Sequence, residues 1–573
     1  MKLLLVAINA KYIHSNLAVH SLRAYARKHG LGNSISLAEY TINHSEEDIL
    51  RGIYKEKADV IAFSCYIWNS ELVLRLTKEL IKVRPEAKLW LGGPEVSYDA
   101  SDCLKKNPEL TGIMINEGEQ TFLELTQYYT GGELQSLGQI AGIAYREGDQ
   151  VRMTHSRELL PLSDIPFPYE ELESFTNRII YYESSRGCPF SCSYCLSSVD
   201  KRIRFRDTEL VKKELQFLLD RQVPQVKFVD RTFNCNRKHA MEIWHYIKEN
   251  DNGITNFHFE IAADLLEEDE IALLATLRPA QVQFEIGVQS TNPVTVEVIH
   301  RKTDLGRLRA NVDKIKAGRN IHQHLDLIAG LPLEDYNTFE HSFQEVYEME
   351  PDQLQLGFLK VLKGSPMEED ARDYDIVYRD NPPYEVLYTK HLSYEELLKL
   401  KGICEMVEIY YNSGQFTSAV GYLKHFYPSP MKLYEELYTY YESKSMEMQA
   451  HSRIKRYDLL LDFFQAQVLP GTVGTAEYKQ MNLEMFKEIL LMDLFLREDM
   501  KSRPSFAAER TQKNYKEFYE RYRKMHQLIH IEDFTYDIEV AVAEGKVVKH
   551  DTTILFNYSD RDPITKSAGI VLI

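Results

Sequence analysis

At 573 residues the chain exceeds what one hydrophobic core organises, which predicts about three or four domains. Lysine plus arginine (68) against aspartate plus glutamate (86) leaves a net charge of −18, a surface that repels phosphate backbones and excludes general nucleic-acid affinity. No stretch approaches roughly twenty apolar residues, which excludes a membrane-spanning helix; seven cysteines, three of them within eight residues, exclude a secreted disulfide framework and point to a reducing cytoplasm and a metal site.

The start, MKLLLVAINAKYIH, places Lys2 ahead of an apolar run that ends at Asn9 and Lys11 without a small-residue cleavage site. It reads as a buried first strand and not as a signal peptide. Strands are predicted at Lys2–Ala7, Ser34–Tyr40, Val60–Ser64, Lys88–Leu91 and Gly112–Ile115, and helices at Leu17–Lys28, Ser70–Val83 and Glu119–Tyr128. This alternation predicts a doubly wound, flavodoxin-like α/β domain over residues 1–135. Ligands of such sheets bind beyond the carboxyl ends of the strands, here the loops Asn9–Asn16, Cys65–Asn69 and Gly92–Ser97.

Residues 136–175 read as a hairpin around Glu147-Gly148-Asp149 followed by a proline-rich linker, Pro161 to Pro168. Over 176–375 a second alternating series begins, with apolar strands at Ile179–Glu183, Val226–Asp230, Phe257–Ala262, Val282–Val288, His324–Ile328 and Leu354–Leu359. Asp207 caps one intervening helix. Six strands each followed by a helix predict a partial (β/α)6 barrel whose chemistry lies at the carboxyl ends of its strands. The cluster Lys201, Arg202, Arg204 and Arg206 reads as a solvated hairpin edge. Residues 376–573 are mainly helical, opened by a Ser393/Glu396 capping box, and end in short strands.

Arg186-Gly-Cys188-Pro-Phe-Ser-Cys192-Ser-Tyr-Cys195 is a C-x3-C-x2-C loop directly after a predicted strand. Three thiolates on one loop hold a [4Fe–4S] cubane and leave one iron open, which catalysis needs. The competing structural zinc site needs a fourth ligand, for which Cys235 and His239 are the candidates.

This pattern resembles the radical S-adenosylmethionine (SAM) superfamily over about residues 176–375. The resemblance implies that SAM chelates the open iron and is cleaved reductively to a 5′-deoxyadenosyl radical, with electrons from a donor such as flavodoxin or ferredoxin. Tyr194 occupies the aromatic position beside the adenine. Phe-His-Phe-Glu260, Glu285-Ile-Gly-Val-Gln289 and Leu325-Asp326-Leu-Ile-Ala-Gly-Leu-Pro332 resemble SAM-contacting strands of the branch that includes the oxygen-independent coproporphyrinogen oxidases. Ile299-His-Arg301-Lys resembles a helix with a SAM-binding arginine. The usual Gly-Gly-Glu after the second strand is missing, and Asp230 stands there as the candidate acceptor of the SAM ammonium.

A doubly wound domain ahead of such a barrel resembles the cobalamin-binding architecture of the B12-dependent branch. Gly92-Gly93-Pro94-Glu95 and Glu117-Gly118-Glu119 match loops around the corrin tail, and Ser64 stands at the end of the third strand. The Asp-x-His-x-x-Gly signature is absent, so His14 reads as a loop histidine bonded to backbone, and cobalamin is expected without protein histidine ligation. Trp68 is a candidate cover for the lower cobalt face, with interdomain packing as its alternative, and Cys65 reads as a core thiol. The resemblance implies a cobalamin-dependent methyltransferase acting on a small molecule or peptide. Its alternatives are cyclisation, rearrangement or oxidation without methylation, and radical SAM chemistry with a first domain that no longer binds corrin.

Overall fold

The structure, a computed structural model, describes residues 1–170, 172, 175–199, 201–447, 449, 451–500, 502–507 and 514–573. It divides into two compact units: Met1–Phe284, Val296–Asn311 and Phe358–Lys390 form the first, and Glu285–Thr295, Val312–Gly357 and His391–Ile573 the second.

The first unit opens with strands β1 (Leu3–Asn9), β2 (Ile35–Thr41), β3 (Val60–Ser64), β4 (Lys88–Gly92), β5 (Gly112–Met114), β6 (Ile143–Glu147) and β7 (Gln150–Met153). They make one sheet in the order β2-β1-β3-β4-β5-β6-β7. The first five strands are parallel; β6 and β7 extend the edge as an antiparallel hairpin. Helices α1 (Leu17–Lys28), α2 (Glu46–Lys55), α3 (Ser70–Val83), α4 (Pro94–Ser97), α5 (Ala100–Lys106) and α6 (Glu119–Tyr129) cover it. Alternate strand residues face opposite layers: Leu4, Val6, Phe63 and Leu89 pack on Ile49, Val73, Leu76 and Leu104. Leu3, Leu5, Ala62 and Trp90 pack on Val19, Tyr25 and Phe122. Each such side chain contributes about 1.5–3 kcal/mol by leaving water.

Helices α2, α4 and α5 were not among the predicted elements. Ser45 accepts from the Asp48 amide at 3.1 Å and caps α2, whose Ile49 and Ile53 are its only buried residues. Ile49, Leu50, Ile53 and Tyr54 do follow helical spacing, so this short helix was legible and was overlooked. The expected loop Gly92–Ser97 holds α4, with Pro94 at its first turn.

The strand order reverses direction between β1 and β3, so their following loops diverge and leave a crevice at the carboxyl edge. Trp68, in the loop after β3, donates its indole N–H to the Ile8 carbonyl of β1 at 3.1 Å.

After the hairpin come β8 (Ile180–Tyr182), β9 (Ser185–Arg186), β10 (Arg204–Phe205), β11 (Gln225–Phe228), β12 (Asn256–Ile261) and the start of β13 (Val282–Gln289). Strands β8, β11 and β12 are parallel, with Lys227 opposite both Tyr181 and His258. Asp207 caps the helix Thr208–Asp220 through the amides of Glu209 and Leu210, both at 3.1 Å. The strands are less apolar than expected. Phe228, Phe233, Phe259 and Trp244 form an aromatic layer toward the helices. Tyr181, Lys227 and Glu260 are only half-buried.

The second unit holds the rest of β13, then β14 (His322–Ala329) and β15 (Gln353–Phe358, whose last residue belongs to the first unit), with Tyr336–Glu348 between them. Burial alternates residue by residue along β13 and β14. The following helices include Tyr394–Val407, which starts from the expected Ser393/Glu396 capping box. The unit ends in an antiparallel sheet of Ile529–Tyr536, Lys549–Arg561 and Ala568–Leu572. Among the described residues no helix is long and apolar enough to cross a membrane.

Candidate active site

The three-cysteine loop follows β8 and β9 directly. Cys188 and Cys192 are buried and Cys195 is half-buried. Backbone contacts fix the loop: the Cys195 amide donates to the Cys192 carbonyl at 3.1 Å, and the Ser193 amide to the Ile299 carbonyl at 3.0 Å. The Met367 amide donates to the Ser193 carbonyl at 2.9 Å. Gly187, at φ +100°, lies where any Cβ would meet the Arg202 carbonyl oxygen at 2.5 Å, so the turn into Cys188 requires glycine.

Beneath the loop stands Asp230, fully buried. It accepts from the Ser184 amide at 3.0 Å and from the hydroxyls of Ser184 and Ser185 at 2.6 Å each. Burial pushes its carboxyl up to about 6, against the pull of these serine donors. These three donors tie Asp230 to the strand end that launches the cluster loop. His239 is taken as well, 3.0 Å from the Ser184 hydroxyl, and burial drives its pKa down to about 4. Among the described residues no three His, Cys, Asp or Glu groups gather as a single metal ion requires. The three cysteines of the loop are instead one thiolate short of saturating a cubane.

Arg301 places Nη1 3.8 Å from Cys192 Sγ and 3.2 Å from the Tyr194 hydroxyl. Burial opposes its charge, but Tyr194 and Cys192 outweigh that and hold its pKa above the usual range. Arg301 was expected on a helix; it lies in the loop past the helix Pro293–Val298, after His300 at φ +54°.

Arg186, the residue before Gly187-Cys188, meets three carboxylates. Its guanidinium lies 3.1 Å from Glu117, 2.9 Å from Glu119 and 2.7 Å from Glu183. Arg204, paired with Arg186 across β9 and β10, also binds Glu117 and donates to the Leu160 carbonyl at 2.6 Å. Arg206 is buried, 2.5 Å from Glu214, and donates to the carbonyls of Leu162 and Ile165. The expected solvated basic edge is thus corrected at both residues: every guanidinium is spent on a carboxylate or a carbonyl.

At the crevice of the first sheet, Trp68 stacks on Tyr66 with centroids 4.4 Å apart and planes at 5°. Trp68 is 43% exposed, and Tyr12 and Ile13 of the loop after β1 are exposed too. They give the carboxyl edge flat apolar surface, the complement of a corrin. Ser64 accepts from the Asn16 side chain at 3.0 Å. Gly93 has φ +114°, and a Cβ there would stand 2.4 Å from the Cys65 carbonyl oxygen. Gly92 closes β4, and Gly118 lies where a Cβ would meet Leu22 at 3.0 Å. Cys65 is a buried core thiol, as expected.

Family models match three stretches: the B12 binding domain over residues 3–126, the radical SAM superfamily over 182–346, and a protein of unknown function, DUF4080, over 372–556. The chain is a B12-binding-domain-containing radical SAM protein.

It is 24% identical over 369 residues to an uncharacterized methyltransferase of Pyrococcus horikoshii, covering 62% of this chain and 77% of that one. To the cobalamin-dependent radical SAM methyltransferase TokK of Streptomyces tokunonensis it is 26% identical over 330 residues, 54% of this chain and 48% of TokK. The alignment thus spans about half of TokK's length. Among solved structures, the cobalamin-dependent SAM radical enzyme OxsB, with aqua-cobalamin and SAM bound, superposes with a TM-score of 0.57 at 15% identity. That match covers 85% of this chain and 83% of OxsB, and shows the shared fold.

The remaining expected contacts of this radical SAM protein divide by unit. In the first, Glu260 is half-buried on β12. His14 offers Nδ1 to the Tyr181 hydroxyl at 2.7 Å, so its side chain is bonded to a phenol and not to backbone as expected. Burial, and then Lys11 and Lys227, lower its pKa. Glu117, expected at the corrin tail, pairs with Arg186 and Arg204. Glu95 of the Gly92-Gly93-Pro94-Glu95 turn accepts from the Tyr384 hydroxyl and lies 3.4 Å from Lys363. In the second unit, Gln289 ends β13 at φ +73°, and its side-chain oxygen is buried without a hydrogen-bond partner among the described residues. Asp326 lies 3.3 Å from His324 Nε2 on β14.

Two structural roles escaped the sequence reading. Arg186 stood only as the start of the cysteine motif, and Glu119 as the end of a turn and the start of a helix; a separation of 67 positions gave no signal of contact.

Proposed function

We propose that this protein is a cytoplasmic, cobalamin-dependent radical SAM methyltransferase that acts on an unactivated carbon of a small-molecule or peptide substrate, with electrons from a flavodoxin- or ferredoxin-type donor. The observation that carries the reading is that one compact unit holds both the three-cysteine loop and the B12-binding fold, joined at Arg186. When bound, the cluster and SAM supply a 5′-deoxyadenosyl radical and cobalamin supplies the methyl group.

The chain's own residues do the rest. Cys188, Cys192 and Cys195 hold the cluster, and Arg301 sets a half-buried cation beside Cys192. Tyr194 borders the SAM pocket; in the second unit, Gln289 keeps a buried side-chain oxygen without a hydrogen-bond partner among the described residues. Trp68 and Tyr66 present an aromatic plane toward the corrin; Gly92, Gly93 and Gly118 let backbone approach its tail. Division into residues 1–135, 136–175, 176–375 and 376–573 belongs to the same reading.

The test is anaerobic turnover of the protein reconstituted with iron, sulfide and hydroxocobalamin, in the presence of SAM and reductant. The reading expects 5′-deoxyadenosine together with S-adenosylhomocysteine. Deoxyadenosine alone, with no homocysteine product, eliminates methyl transfer.

A further inference from the structure

The two glycine turns expected around the corrin tail carry glutamates that contact later segments of the same unit. Glu95 meets Tyr384 and Lys363, and Lys363 also lies 2.9 Å from Asp99. Glu117 and Glu119, on either side of Gly118, meet Arg186. The two anchors differ in what lies next to them. Lys363 and Tyr384 belong to the segment after β15, whereas Arg186 is two residues from Cys188.

We propose that Arg186 is a positioning residue that couples the cobalamin-binding turn to the cluster loop, so that corrin occupancy alters the electronic environment of the cluster. This rests on the cofactor reading above. Four observations support it. Arg186 binds Glu183 of its own strand end through Nε at 2.9 Å and Nη2 at 2.7 Å, and reaches the turn through Nη1 to Glu117 and through Nη2, shared with Glu183, to Glu119. Gly187 packs against the Arg202 backbone, so a shift of Arg186 passes to Cys188 with no slack between them. The turn is tied down at its other side, where the Asn116 amide, at φ +60°, donates to the Ser97 hydroxyl of α4 at 3.2 Å. Finally, Glu119 is buried, and its carboxyl is held below the usual range by Arg186 against the cost of burial.

The energetics give the coupling its sign. Three carboxylates stand around Arg186, and Arg204 is a second cation on Glu117. Removing the guanidinium leaves the buried Glu119 and the half-buried Glu117 and Glu183 as like charges short of a partner, which destabilises the turn. The turn must then open, and with it the corrin-tail site. Lysine keeps the charge but not the planar fork, so it satisfies one carboxylate and not three.

The experiment uses the full-length protein reconstituted with cluster, as wild type, Arg186→Met, Arg186→Lys and Lys363→Met. Hydroxocobalamin is titrated by its corrin absorption. The EPR spectrum of the reduced cluster is then recorded with and without saturating cobalamin, under a reductant strong enough to leave cobalt diamagnetic. Wild type is expected to change its cluster g-values on cobalamin binding. Arg186→Met is expected to bind cobalamin at least tenfold more weakly and to lose that spectral response even at saturation. Arg186→Lys should recover part of the affinity. Lys363→Met, which frees only the other turn, should weaken cobalamin binding while keeping the response. A response that survives in both Arg186 variants overturns the coupling, as does a wild-type cluster indifferent to cobalamin. Failure of the wild type to take up cluster or corrin overturns the cofactor reading itself.

Discussion

The Arg301 guanidinium sits 3.8 Å from Cys192 Sγ and 3.2 Å from the Tyr194 hydroxyl, half-buried beside the cluster loop. A cation at a ligating sulfur stabilises the more negative, reduced cluster. Arg301→Met should therefore lower the cluster's midpoint potential, on the order of tens of millivolts, with iron content retained. Redox titration followed by EPR measures this; an unchanged potential removes Arg301 from the cluster's surroundings.

Gly93 carries a second expectation. Alanine there brings Cβ against the Cys65 carbonyl oxygen at a backbone angle that side chains avoid. Gly93→Ala should cost on the order of 2 kcal/mol or more and weaken hydroxocobalamin binding. Urea unfolding and corrin absorbance report the two effects. Wild-type stability in the variant would mean that the turn relaxes freely.

His14 lends its Nδ1 to Tyr181 and has its pKa lowered by burial. Bound cob(II)alamin should show no nitrogen superhyperfine splitting from a protein ligand, and His14→Ala should leave that EPR pattern unchanged. A triplet splitting that vanishes in the variant would make His14 the axial ligand.

How far these sites were legible in the sequence depends on whether their signal was local. The cysteine loop, the Asp207 cap and the Ser393/Glu396 box are each written within ten residues, and the structure has all three as expected. Strand and helix positions in the first sheet followed from apolar periodicity, though α2, which has that spacing too, was overlooked. Partners distant in the chain were not legible. Asp230 stands after a strand, and nothing local announces its bonds to Ser184 and Ser185, some 45 residues earlier. Nor does the turn around Glu117 announce its ion pairs with Arg186 and Arg204. Lone charged residues at strand ends carry no mark of whether they face a ligand or another loop.

In the second unit, Asp493 accepts from the amides of Ser418 and Ala419 at 2.9 and 2.8 Å, and burial pushes its carboxyl up to about 7. A raised carboxyl pKa means that the folded state favours the protonated form. Its stabilising contribution is present below the unfolded value near 3.8 and is lost as pH rises through about 7. Between pH 6 and 8 the wild type should therefore lose roughly 1 kcal/mol more stability than Asp493→Asn, which does not ionise. Denaturant midpoints at the two pH values decide it; parallel curves would contradict the shift.

The central claim is that Cys188, Cys192 and Cys195 carry a cubane with one iron left for SAM. Anaerobic reconstitution followed by iron counting, and EPR of the reduced protein before and after SAM, tests it most directly. The account predicts about four irons per chain, a cluster signal that shifts when SAM is added, and loss of the cluster in Cys188→Ala, Cys192→Ala and Cys195→Ala. A tightly held zinc ion in that loop, or a cluster signal blind to SAM, would contradict it.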